Sequence, residues 1–224
     1  MSKLTIKNIF WDVDGVLANL NYAYFNFLTK HPKYASLYRT IKWTDLPNVL
    51  PMDEKYGALD LKNHPTMGDQ MDKDFCNNPS FFNNRPLYEG VIETIKELNK
   101  LGYRQFTMSA TYNVDAKKRL LNFLLSEVAD CITIECVQHG EFMHDTAKED
   151  ALNKCFKKYN LKAEETVLVD DRVYNQYAAI NVGAHPVRMR CEFTTDLPDK
   201  LKWIPEVESV YDFKKWLLIN TKIK

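Results

Sequence analysis

Residues 8–20 read NIFWDVDGVLANL: a short apolar run, two acids one residue apart (Asp12 and Asp14), then Gly15. Such a run, closed by a turn residue, marks a strand buried on both faces of a parallel sheet. The acids therefore fall where a buried strand runs out. Burial does not account for them, because a desolvated, unpaired carboxylate costs several kcal/mol. Either something positive sits between them or one of them reacts.

Further strand-like segments follow at 103–108, 131–136, 166–169 and 186–189, the first strand reading as 4–11. Helix-period segments lie between them at 90–100, 115–126, 148–159 and 174–182, and Gly102 and Gly183 stand at two helix ends. A C-terminal piece, 205–220, reads as a docking helix with Val207, Val210, Phe213, Trp216 and Leu217. Strands alternating with helices predict an α/β fold, a Rossmann-like parallel sheet covered on both faces. Right-handed crossovers then line up the strand C-termini along one edge, where such sheets bind ligands.

The alternation stops between residues 18 and 86. That stretch has no clear strand, many aromatics (among them Tyr22, Tyr24, Phe25, Phe27, Tyr34, Tyr38, Trp43 and Tyr56) and turn-like clusters at 61–69 and 76–84. A structureless loop of this length is improbable in a compact domain. The expected organisation is a core of residues 1–17 and 87–224 with a helical insertion, 18–86, hinged near 17–20 and 83–87. The aromatics have two readings: the core of a small helical bundle, or one or two rings, Trp43 or Tyr22, stacking on a nucleobase.

Composition narrows the partners. With 224 residues and 45% apolar content, the chain suffices for one sizeable α/β domain with a smaller one inserted. Thirty basic and thirty acidic residues cancel, and no basic stripe offers itself to a nucleic acid polymer. No apolar run approaches the roughly 20 residues that cross a bilayer, and Asp12 and Asp14 interrupt the early apolar run that a signal peptide would need. Five scattered cysteines fit free thiols in a reducing cytoplasm. Cys131 and Cys136 could form half a zinc site, but no Cys/His pair at ligand spacing completes it, so both read as core.

A second acidic pair closes the apolar run 166–169: Asp170 and Asp171 in VLVDDR. Two acidic strand ends in one parallel sheet should meet, and carboxylates gathered there need a hard divalent cation; magnesium takes oxygen ligands and leaves positions open for phosphate. After the second strand come Ser109, Ala110 and Thr111, small residues able to hold an anion or simply to cap a helix. Lys148, in HDTAKEDALNK, could neutralise a phosphate or lie on a helix surface.

In order, the strand ends read Asp-x-Asp-Gly, Ser, Lys, Asp-Asp. This resembles the haloacid dehalogenase superfamily of phosphatases and related enzymes, over roughly 1–17 and 86–200, most specifically in FWDVDGVLA. The resemblance implies Asp12 as the nucleophile that forms an aspartyl-phosphate. It implies Asp14 as the acid that protonates the leaving oxygen and then the base for water. Mg2+ would be held by Asp12, the carbonyl of Asp14, and Asp171, with Asp170 direct or through water. Ser109, Ala110 and Lys148 would hold the phosphoryl oxygens. An acid at Asp14 favours phosphoryl chemistry over carbon–halogen cleavage. A small phosphorylated metabolite is the implied substrate, a nucleoside monophosphate or a phosphosugar. A phosphosugar mutase and a non-catalytic phosphate-ligand-binding protein are the alternatives. A phosphonate hydrolase would need a Schiff-base lysine, and Lys30, Lys33, Lys42 and Lys55 stand in no recognisable setting for one. The insertion and PSFFNNRPLYEGV look like the deoxyribonucleotidase branch, although Leu20 stands where an aromatic is expected there. DDRVYNQYAAINVGAHPV looks like the phosphoglycolate-phosphatase and phosphoglucomutase-like branch, with Asn175 in place of a usual glycine.

Overall fold

The structure is a computed structural model that describes residues 3–48, 51–52, 55–56, 65–111, 113–138, 147–192, 194 and 196–222. The chain begins with β1 (Asn8–Trp11), α1 (Leu20–Lys30), α2 (Pro32–Tyr38), β2 (Pro51–Met52), β3 (Lys55–Tyr56), α3 (Pro65–Cys76) and α4 (Pro79–Phe82). It continues with α5 (Val91–Lys100), β4 (Arg104–Thr107), β5 (Ser109–Thr111), α6 (Val114–Leu124) and β6 (Cys136–Gln138). Last come α7 (Ala147–Tyr159), β7 (Thr166–Asp170), α8 (Val173–Asn181), β8 (His185–Met189), β9 (Glu206–Val207) and α9 (Val210–Asn220).

Five strands form one sheet in the order β4-β1-β7-β8-β9, every pair parallel. Side chains of β1 and β7 alternate between two hydrophobic bodies, as a pleat of period two requires. Ile9, Trp11, Val167 and Val169 join Ile95, Leu98, Phe213 and Leu217 on the side of α5 and α9. Phe10 and Leu168 join Phe106, Leu152, Phe156 and Ala179 on the side of α7 and α8. The Phe10 and Phe106 rings stack at 4.7 Å, an offset pair worth about 1 kcal/mol beyond its burial. Trp11 Nε1 donates to Gln105 Oε1 at 3.2 Å, so its one polar atom is satisfied inside the core. This is the α/β parallel-sheet architecture that the alternation predicts.

Several boundaries differ from expectation. The first strand is shorter than 4–11, because Leu4 leaves the sheet to bridge Thr221 beside the C-terminal helix. The third strand lies at Cys136–Gln138 rather than 131–136. The backbone before it is pinned differently: Thr107 Oγ1 donates to Glu135 O at 2.8 Å and accepts from Glu135 N at 2.9 Å, while Ile132 packs into the core. Ser109, Ala110 and Thr111, expected after the second strand to hold an anion or cap a helix, form the separate strand β5, which pairs with β6. The C-terminal piece adds β9 ahead of its helix.

The described residues between 20 and 82 are mainly helical, with the two-residue ribbon β2–β3 added. The turn-like clusters turn out to be helix starts: Pro65 opens α3 and Pro79 opens α4, the position where a missing N–H costs nothing. Residues 61–64 of the first cluster lie outside the described residues, as do His144, Asp145 and Thr146 of the lysine segment. The aromatics build a core of their own: Tyr24, Phe27, Tyr34, Tyr38, Phe75 and Phe82 pack with Leu28, Met71 and, from α6, Leu120. Trp43 meets Phe25 edge-on at 5.5 Å, and Tyr22 is 44% exposed.

Candidate active site

The site grows out of β1. Because Asp12 N donates to Val169 O at 2.8 Å, the end of β1 is locked beside the end of β7. Met108 N donates to Trp11 O at 2.7 Å, which fixes Ser109 beside them. After Asp12 the chain curls tightly: Leu17 N and Ala18 N both donate to Val13 O, at 2.9 and 2.8 Å. Gly15 takes φ +82°, and a Cβ placed on it would lie 2.7 Å from Asp171 Oδ2. Only glycine lets the first loop come this close to the second acidic pair.

Asp12, Asp170 and Asp171, all buried, each offer a carboxylate oxygen, and these oxygens lie within 4.8 Å of one another. Oxygens bound to one Mg2+ at about 2.1 Å stand roughly 3–4 Å apart, close to this spacing. Three buried carboxylates this close repel each other, so the donor set fits a hard cation.

Lys148, 3% exposed, reaches Asp12 Oδ1 at 2.8 Å and also pairs with Asp170 Oδ2. Asp170 Oδ1 accepts from Arg172 N and from Asn175 Nδ2, both at 2.9 Å. Asn175, where the resemblance leads one to expect glycine, thus orients the acid that holds Lys148. Asp171 Oδ2 is approached by Arg172 Nε at 3.4 Å and by Cys191 Sγ at 3.7 Å. Burial pushes the Asp12 carboxyl up to about 6, with Lys148 opposing and Asp170 and Asp14 adding to the rise. Lys148 is lifted above the usual lysine range: burial works against its charge, but Asp12 and Asp170 more than compensate.

Ser109 Oγ is buried without a hydrogen-bond partner among the described residues. A buried, orphaned hydroxyl is costly unless a ligand completes it. Ala110, its neighbour on β5, is partly buried.

Asp14 is differently placed. Its Oδ1 pairs with Arg85 Nη1 and its Oδ2 with Lys117 Nζ. Burial alone would raise its carboxyl, but Arg85 and then Lys117 hold it well below the usual carboxylate range. Lys117 in turn is lowered, first by burial and then by Arg85, against the pull of Asp14. Neither cation was legible as a site residue. Lys117 reads as the polar face of a helix, and Arg85 as part of a polar return segment.

Residues 6–183 match the family model for haloacid dehalogenase-like hydrolases. The chain belongs to this haloacid dehalogenase-like hydrolase family. Solved structures of the same fold include a predicted phosphatase from Clostridium acetobutylicum (15% identity, TM-score 0.66, 96% of this chain and 99% of that one). A family hydrolase from Deinococcus radiodurans with bound phosphate and sodium is 14% identical, with TM-score 0.65 and 96% of each chain covered. A third, from Bacteroides vulgatus and provisionally named a β-phosphoglucomutase, is 15% identical with TM-score 0.59, over 99% of this chain and 92% of that one. A search of curated proteins found no match. No helix among the described residues is long and apolar enough to cross a membrane.

Proposed function

We propose that this haloacid dehalogenase-like hydrolase is a magnesium-dependent phosphomonoesterase acting on a small phosphorylated metabolite. The observation that carries the reading is the gathering of Asp12, Asp170 and Asp171 beside Lys148 and the orphaned Ser109 hydroxyl. The phosphate held by the Deinococcus relative supports the same ligand class. The expected division, 1–17 and 87–224 against 18–86, is supported by main-chain bonds that tie the two crossings. Asn19 N donates to Pro86 O at 2.8 Å and Tyr88 N to Leu17 O at 2.9 Å. The free thiols suit a reducing, cytoplasmic setting.

Asp12 attacks phosphorus, and a carboxylate oxygen–phosphorus bond forms as the phosphorus–leaving oxygen bond breaks. Lys148 and Ser109 bind the phosphoryl oxygens, with the backbone at Ala110 beside them. Asp14, having taken a proton from solvent, delivers it to the leaving oxygen and then takes one from the water that cleaves the aspartyl-phosphate. To do so it must release Arg85 and Lys117, which keep it ionised. Mg2+, held by Asp12, Asp171 and the Asp14 carbonyl, would offset the repulsion between nucleophile and phosphoryl group. Asp170, whose oxygens already serve Lys148, Arg172 and Asn175, acts chiefly by orienting Lys148.

Asp12→Asn should reduce turnover of an aryl phosphate by at least about 10³-fold while leaving the circular dichroism spectrum unchanged. Chelation should silence the wild type, and magnesium should restore it. Retained turnover in Asp12→Asn rejects the nucleophile. The β-phosphoglucomutase-like neighbour motivates one added arm: a phosphohexose as acceptor, where isomerised sugar phosphate in place of free phosphate marks a mutase.

A further inference from the structure

Arg85 and Lys117 are 2% and 1% exposed, and both spend their charge on Asp14. The arrangement sets a problem for the reaction proposed above. When Asp14 turns to the leaving oxygen, two buried cations lose their counterion, and a stranded buried charge is strongly unfavourable. The surrounding charges do not relieve it. Asp12, Asp170 and Asp171 against Lys148 and Arg172 leave one negative charge, which a divalent cation more than absorbs. Asp14 against Arg85 and Lys117 leaves a positive charge in surplus.

Arg85 is also fixed in advance. Its Nε donates to Phe82 O at 3.0 Å, and its guanidinium lies 4.4 Å from the Phe82 ring centre and 5.4 Å from that of Phe75. Its Nη2 is buried with no hydrogen-bond partner among the described residues. A planar donor fork held this way, with one donor already idle, suits a carboxylate or phosphate. Arg85 lies on the return from the insertion and Lys117 on α6, so the two cations face Asp14 from different elements.

We infer that Arg85 and Lys117 form a recognition seat for a second anionic group, carried by the leaving portion of the substrate, and that Asp14 fills this seat when substrate is absent. The inference rests on the phosphomonoesterase reading and narrows its substrate class to phosphate esters that carry a carboxylate or a second phosphate near the ester oxygen.

The test measures binding by calorimetry in Asp12→Asn protein with magnesium, using ethyl phosphate, 2-phosphoglycolate and ethylene glycol bisphosphate. The two anionic esters should bind about tenfold or more tightly than ethyl phosphate, the size expected of a charged hydrogen bond. Which of the two leads tells carboxylate from phosphate. Adding Arg85→Gln or Lys117→Gln should erase that preference and leave ethyl phosphate within about twofold. Adding Asp14→Asn should tighten the anionic esters alone, since the internal competitor is gone. This third arm decides the matter should the buried substitutions fail to fold. Equal losses for all three esters would mean that the pair serves the transferring phosphoryl group, and the seat is rejected; absence of any preference rejects it too. Wild-type protein that turns over none of these esters, while the charge preference persists in binding, overturns the phosphomonoesterase reading and leaves the seat standing.

Discussion

At the scale of single residues, Gly15 ties the two acidic strand ends together. Its φ of +82° costs a side-chain-bearing residue about 1–2 kcal/mol, and any Cβ would press on Asp171 Oδ2. Gly15→Ala should therefore lower stability by that amount in a denaturant melt. It should also raise the magnesium concentration for half-maximal activity about 10- to 100-fold, as displacement of a group beside a ligand does. An alanine protein with an unchanged magnesium requirement would remove Asp171 from the proposed ligand set. The acids were legible in the sequence because carboxylates directly after buried strands have no cheap structural excuse. Arg85 and Lys117 were not legible, because arginine and lysine in helical and loop contexts are exposed by default. In the fold both are buried, Arg85 over the Phe75 and Phe82 rings and Lys117 Nζ 6.0 Å from the Phe82 ring centre.

Between elements, register is what brings the acids together, and it was only partly readable. Pairing of Trp11 with both Thr107 and Val169 puts three strand ends level. The apolar runs announced those strands. What the runs could not announce is that Thr107 would bond both ways to Glu135 and so delay the next strand to Cys136. In the insertion, α2 and α3 are joined by Asp74, which accepts from Lys33 and Tyr34 at 2.6 Å and from Gln70 at 2.7 Å. The Lys33 and Tyr34 bonds hold its carboxyl down to about 2, against an ordinary 3.8. The fold thus favours the ionised form, so the stabilisation is complete above the ordinary value and is lost as pH falls from about 4 through about 2. For a carboxylate one-quarter exposed, screening leaves roughly 1 kcal/mol. Asp74→Asn should cost that much in urea unfolding at pH 7, and the variant and wild-type curves should converge near pH 2. A difference that stays constant across this range would assign the effect to shape rather than charge.

Across the whole molecule, two hydrophobic bodies meet at α6. One face of the sheet collects α5 and α9, while the insertion gathers its aromatics around Leu120, which belongs to the core-side helix. The crossings are stitched besides by Glu192, which accepts from Asn19 at 2.8 Å, Asn21 at 3.3 Å and Tyr88 at 3.0 Å. The sequence suggests limits for the insertion, since the strand–helix alternation stops at residue 18 and resumes near 87. The insertion's anchorage could not be read there, because Leu120 looks like any other apolar position of an amphipathic helix. Removing that anchor separates the two bodies experimentally. Leu120→Ala takes out a side chain 2% exposed and should cost about 2–5 kcal/mol, the transfer term plus the cavity left behind. If the insertion is a unit docked on the core, the loss is local. Amide exchange should then quicken in α1 and α4, while β1 and β7 keep the protection of the sheet. Equal acceleration in the strands and in the insertion would show that 18–86 and the sheet unfold as one body, and the division at 17/18 and 86/87 would have no energetic meaning.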